Sequence, residues 1–213
     1  MKKIGKYAHL KCTFWILISS IVVLVASLIV PDSPWGSILQ NIFAGLVTGI
    51  VVTLIGSLKS KELKDAEIED QFLKMVHDLY ISSCTAYMEY MKVRHEKDDV
   101  YFEGTYELIT ELQAVDSFIG SRDNDERLVR ILGKKPSDLF DQEKEYCFLE
   151  QEKRHGRLYD LLDSKVTFDE EARKEIEQQI GVIRRAHTVV NRKALNRKNE
   201  IFDKKIEIET SVP

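Results

Sequence analysis

Cysteine, proline and glycine are all scarce in this sequence, which excludes several classes of protein. Its 213 residues include three cysteines, four prolines and ten glycines. The cysteines Cys12, Cys84 and Cys147 form no C-x-x-C pair, so the sequence has neither a disulfide framework nor a cysteine-based metal motif. It also lacks the glycine-rich motifs that hold phosphate groups. The scarcity of helix-breaking residues after position 58 favours an all-α fold.

Charge is almost missing from the first quarter of the chain. Residues 12–58 contain one charged side chain, Asp32. Residues 1–58 carry a net charge of +3 and the remainder −7, within a total of −4. As a helix, residues 12–30 span about 28 Å, which is close to the hydrocarbon thickness of a bilayer. We therefore predict a transmembrane helix at 12–30.

A second apolar segment, residues 38–58, follows after a loop at 31–37. This loop contains Pro31, Pro34 and a glycine, which favour a tight turn between antiparallel helices. The two segments predict a transmembrane hairpin. A secretory signal peptide is the alternative for the first segment, but the apolar stretch is too long and no clear cleavage site follows it.

Lysines flank both outer ends of the predicted hairpin, whereas its connecting loop has none. By the positive-inside rule, this distribution places both termini in the cytoplasm. Residues 1–11 then form a basic cytoplasmic segment, and the protein is expected in a plasma membrane, by default a prokaryotic one. The lysines are Lys2, Lys3, Lys6 and Lys11 before the hairpin and Lys59, Lys61 and Lys64 after it.

The second apolar segment carries a stripe of small residues. Gly45, Gly49, Thr53 and Gly56 lie on one side of a helix, and the first two form a G-x-x-x-G motif. Such motifs allow close approach of another helix. The stripe serves either packing against the first helix of the hairpin or self-association, and we expect a homo-oligomer.

The rest of the chain predicts a cytoplasmic helical domain at 59–205, with about four helices and an extended or disordered tail at 206–213. Its first helix is expected to continue directly from the second transmembrane helix. Of the other predicted helices, one ends at Gly120 and the next runs from about Asp125 to Leu132. Another runs from Ser137 to about Ser164. The last runs from Phe168 to Lys205, after a capping box that starts at Thr167.

The last predicted helix has a heptad-like apolar seam. A coiled coil and one helix of an antiparallel bundle both fit this pattern, and the neighbouring amphipathic helices favour the bundle. His187 and Arg197 interrupt the seam at positions that prefer apolar side chains.

The same helix carries a basic run that includes no acidic residue. A basic helix can contact anionic lipid or an acidic partner. The alternative is a solvated helix that faces acidic neighbours, and nucleic-acid binding is disfavoured because no aromatic residues alternate with the charges. The run consists of Arg184, Arg185, Arg192, Lys193, Arg197 and Lys198.

No catalytic motif is present, and no two of the five histidines stand at helical spacing, so the sequence predicts no enzyme, metal or cofactor. We expect a non-enzymatic membrane protein that self-associates and presents its helical domain to an unidentified cytoplasmic partner, as a scaffold, sensor or signalling protein. The alternative is an oligomeric effector or channel that perturbs the membrane and is gated by the cytoplasmic helices.

Overall fold

The computed structural model describes residues 18, 21, 22, 25, 34–141, 146–163 and 167–210. Over these residues the fold is all-α, as the sequence predicts. The chain forms two compact units, Met1–Glu62 and Leu63–Pro213. The helices of the described residues are α1 (Pro34–Val93), α2 (Asp98–Ser121), α3 (Glu126–Leu132), α4 (Pro136–Phe140), α5 (Phe148–Asp163) and α6 (Glu170–Thr210).

The N-terminal unit contains the apolar part of α1. Within the stretch that starts at Asn41, α1 has an 18-residue window apolar enough to cross a membrane, and none of that window is buried inside the chain. Among the residues that the structure describes, α1 is the one helix with such a window. Most of the helix predicted at 12–30 lies outside the described residues.

Helix α1 begins inside the loop predicted at 31–37. Its first residue is Pro34, which suits the first turn because proline lacks a backbone N–H that would have no partner there. The helix continues without a break through Leu58 to Val93. The second predicted apolar helix and the first helix of the predicted cytoplasmic domain are therefore one element.

In the C-terminal unit, α1, α2, α5 and α6 pack as an antiparallel bundle. Along each of three helix pairs, α1 with α2, α2 with α5 and α1 with α6, residue numbers increase on one helix as they decrease on the other. The helices of each pair are therefore antiparallel. Examples are Phe72–Phe118 and Tyr90–Tyr101, Thr110–Tyr159 and Asp116–His155, and Glu69–Arg197 and His77–Asn191.

The core of this bundle consists of two apolar clusters. On α2, Leu112 belongs to one cluster, while Val115 and Ile119 belong to the other. On α6 the same change occurs between Ile183 and Ala186. The two apolar clusters therefore meet at the level of residues 112–115 of α2 and 183–186 of α6.

The prediction of a single helix from Ser137 to about Ser164 is wrong. The chain instead forms α4, which ends at Phe140, and α5, which begins at Phe148. Asp141 ends the first of these and its Oδ1 accepts the backbone N–H of Phe148 at 2.8 Å. A carboxylate that was expected inside a helix thus caps the start of the next one.

Helix α6 also differs from the prediction at both ends. Its N-terminal cap is Asp169, whose Oδ1 accepts the backbone N–H of Ala172 at 2.8 Å, and not Thr167. The extended tail predicted from residue 206 is helical as far as Thr210. Ile208 in this last stretch is buried; residues 211–213 lie outside the described part.

Candidate functional site

Three helices of the bundle bring an aspartate and two histidines together in the core. These are Asp116 on α2, His155 on α5 and His187 on α6, with exposed fractions of 2%, 2% and 1%. They lie where the two apolar clusters meet. Burial of polar groups in such a position costs free energy unless they bind one another or a ligand. These three side chains therefore need hydrogen-bond or ligand partners inside the core.

Both histidines approach the same oxygen atom of Asp116. The Nε2 atoms of His155 and His187 each lie 2.9 Å from Oδ2 of Asp116. Tyr146, which precedes α5, donates its hydroxyl proton to the other carboxylate oxygen, Oδ1, at 2.7 Å. We call these four residues the Asp116 cluster.

The contacts within the Asp116 cluster favour the charged form of the carboxylate. Burial opposes this charge, but attraction to His187 and the hydrogen bonds from both histidines outweigh that effect. Together with the bond from Tyr146, they hold the pKa of the Asp116 carboxyl well below its usual range. Burial and the nearby carboxylate charge raise the pKa of Tyr146, so its phenol keeps the proton that it donates.

The charged carboxylate determines where the histidine protons lie. An ionised carboxylate only accepts hydrogen bonds, so each Nε2 atom that bonds to Asp116 carries a proton. The Nδ1 atoms of His155 and His187 are buried, and neither has a hydrogen-bond partner among the described residues. The cluster therefore contains two imidazole rings that are each held through one nitrogen.

The Asp116 cluster supplies donor atoms that suit a metal ion. One carboxylate oxygen and one nitrogen from each histidine all lie within 4.8 Å of one another. Sequence reasoning predicted no metal site, because it looked for histidines close together on one helix. The available signal was that His187 interrupts an apolar seam and that Asp116 lies among apolar residues at helical spacing.

No described residue covers the small-residue stripe, which is predicted either to pack within the hairpin or to mediate self-association. A Cβ atom placed on Gly45, Gly49 or Gly56 would meet no described atom within 4 Å. Thr53 is exposed, and its hydroxyl donates to the carbonyl of Gly49 at 2.7 Å. The four residues thus leave a shallow, apolar face on α1.

Several members of the predicted basic run contact neighbouring side chains of the bundle. Arg197 pairs with Glu69 and Lys198 lies 3.9 Å from Asp70, so these two cations contact acidic residues of α1. Arg184 lies over the ring of Tyr87, 3.3 Å from its centroid. Burial lowers the pKa of Lys193. Arg192 also has a contact of its own, and lipid contact by Arg185 or the others stays a prediction.

Comparisons of the chain with protein-family models, with curated proteins and with solved structures found no match.

Proposed function

We propose that this is a non-enzymatic membrane protein that self-associates through its apolar helix and presents a cytoplasmic helical bundle to a partner protein. The observation that carries the proposal is the exposure of the apolar window of α1. That window has no buried residue, although exposure of a continuous apolar surface to water is unfavourable. A bilayer would cover it.

The polar groups inside this window support a membrane location. The hydroxyls of Thr48, Thr53 and Ser57 donate to backbone carbonyls of their own helix, at 2.9, 2.7 and 2.9 Å. In lipid, polar hydrogens need a partner within the protein. These three hydroxyls already have one, so the helix can enter a bilayer without leaving them unbonded.

Self-association is supported by the face at Gly45 and Gly49, which no described residue covers. Without a side chain at these positions, a second helix can approach closely enough for extensive van der Waals contact. A two-helix hairpin with both termini in the cytoplasm is part of the proposal, because lysines lie before residue 12 and after residue 58. The bundle then faces cytoplasmic partners.

The test compares oligomer formation by the full chain and two variants in native membranes. The first variant, Gly45→Ile with Gly49→Ile, fills the small-residue face. The control, Val47→Ile with Val51→Ile, adds methyl groups to the opposite, exposed side of α1. Oligomers are measured by chemical cross-linking at matched protein levels.

We expect the glycine variant to associate at least about tenfold more weakly than the unmodified protein, which corresponds to about 1.4 kcal/mol. The valine control should cross-link as the unmodified protein does. Equal cross-linking by all three would contradict self-association through this face. Depolarisation of the membrane by the unmodified protein alone would instead favour the effector or channel alternative.

A further inference from the structure

We propose that Asp116, His155 and His187 bind one divalent transition-metal ion in the core of the bundle, with Zn²⁺ as the first candidate. This inference goes beyond the proposed membrane function and does not depend on it. It assigns a role to three ionisable side chains that are buried between two apolar clusters.

The donor atoms determine the class of metal. Two imidazole nitrogens and one carboxylate oxygen suit Zn²⁺ and Fe²⁺, whereas Mg²⁺ and Ca²⁺ prefer sites made of oxygen atoms. Three protein ligands leave a further coordination position for water or another small ligand. Helical bundles commonly build metal sites from side chains of facing helices, and here each ligand comes from a different helix.

The geometry points to a common centre. Both Nε2 atoms approach the same oxygen, Oδ2 of Asp116, at 2.9 Å, although the carboxylate has two oxygens to offer. In a tetrahedral zinc site, neighbouring donor atoms lie about 3.4 Å apart. The two Nε2–Oδ2 distances therefore have to lengthen by about half an ångström for the ion to enter between the donors.

Tyr146 has the position of an outer residue that orients a metal ligand. Its hydroxyl donates to Oδ1 of Asp116 at 2.7 Å, which turns Oδ2 toward the histidines. Ligating carboxylates are usually hydrogen-bonded in this way, and loss of such a bond weakens metal affinity by about 10- to 100-fold. We therefore treat Tyr146 as a positioning residue.

The protons balance when the ion binds. Each Nε2 atom gives up its proton to solvent when it binds the metal, and Nδ1 of each bound ring carries one proton, taken from solvent where the ring starts without it. The carboxylate of Asp116 stays ionised. No oxidant or reductant is needed.

The test uses the full chain in mild detergent, stripped of metal with a chelator. Zn²⁺, Fe²⁺ under anaerobic conditions and Mg²⁺ are titrated by calorimetry, and Co²⁺ is titrated by visible absorption, which reports its coordination. The variants are Asp116→Asn, His155→Gln, His187→Gln and Tyr146→Phe. The matched control is His95→Gln, which removes an exposed histidine.

We expect one equivalent of Zn²⁺ to bind with micromolar or tighter affinity, and Mg²⁺ not to bind. Loss of any one ligand should weaken Zn²⁺ binding at least about 100-fold, and Tyr146→Phe about 10- to 100-fold. His95→Gln should bind as the unmodified chain does. Absence of stoichiometric binding, or equal binding by the ligand variants, would overturn the proposal.

A measurement on the unmodified chain covers the case in which a ligand variant does not fold. Nitrogen-15 NMR of the imidazole rings distinguishes the two tautomers. On addition of Zn²⁺, two of the five histidines should change from the Nε2–H to the Nδ1–H form. A spectrum in which none changes would overturn the proposal as well.

Discussion

Arg197 belongs to the predicted basic run, and its partner is a buried carboxylate. Its Nε atom donates to Oε1 of Glu69 at 2.7 Å, and Glu69 is 6% exposed. A second bond joins Arg197 to Glu200 on the same helix. Removal of the guanidinium would leave the Glu69 carboxylate in the core without its donor, which is far more costly than loss of a surface pair.

We expect Arg197→Ala to lower the free energy of unfolding by about 1–3 kcal/mol, because Arg197 itself is partly exposed. The control is Lys198→Ala, whose Nζ atom lies 3.9 Å from Asp70; it should change stability by less than about 0.5 kcal/mol. Urea unfolding of the full chain in mild detergent, followed by tyrosine circular dichroism, measures both. Equal losses would contradict the role of Arg197.

Individual residues of the Asp116 cluster carry a weak signal in the sequence. His187 could be recognised as a polar interruption of an apolar seam, and it lies where that pattern predicts, in the core. Its partners could not be identified, because Asp116 and His155 lie 71 and 32 positions away in the chain. Only the pairing of helices in the bundle brings the three together.

At the scale of helices, two glycines occupy contrasting surroundings. A Cβ atom on Gly120, near the end of α2, would lie 2.5 Å from Cζ of Phe148, which begins α5. A Cβ atom on Gly156, in the middle of α5, would meet no described atom within 4 Å. Close packing of α2 with the start of α5 therefore requires glycine at position 120 only.

We expect Gly120→Ala to destabilise the protein by about 1–3 kcal/mol, because the added methyl group forces Phe148 to move. Gly156→Ala should instead stabilise it by about 0.5–1 kcal/mol, since alanine is the better helix former. The same urea unfolding measurement compares them. Stabilisation by both substitutions would show that Phe148 is not held against α2 as described.

Helix boundaries could be predicted where local capping decides them and not where tertiary contacts do. The start of α3 follows from Asp125, whose side chain accepts the backbone N–H groups of Arg127 and Leu128. The continuation of α6 beyond Lys205 is accompanied instead by burial of Ile208. Residues 205–210 alternate between charged or polar and apolar side chains, a pattern that locally favours an extended chain. Tertiary packing overrides such a local preference.

At the scale of the whole molecule, composition was sufficient to predict an all-α chain with an apolar part and a charged part. The structure divides the chain at Glu62, four residues after the end of the apolar segment predicted at 38–58. The predicted hairpin depends on residues 12–30, most of which lie outside the described part. The proposed membrane location of α1 therefore rests on the exposed apolar window of this helix.

The accessibility of two exposed positions on α1 to a water-soluble reagent tests the membrane location of this helix. Val47 lies in the apolar stretch, on the side opposite the glycines, and is 38% exposed; Met88 lies in the C-terminal unit and is 63% exposed. Each is replaced by cysteine in a full chain whose native cysteines are changed to serine. A water-soluble maleimide is then applied to open membrane fragments. We predict rapid labelling of Met88→Cys, and protection of Val47→Cys until detergent is added; equally rapid labelling of both in the membrane fragments would contradict the account.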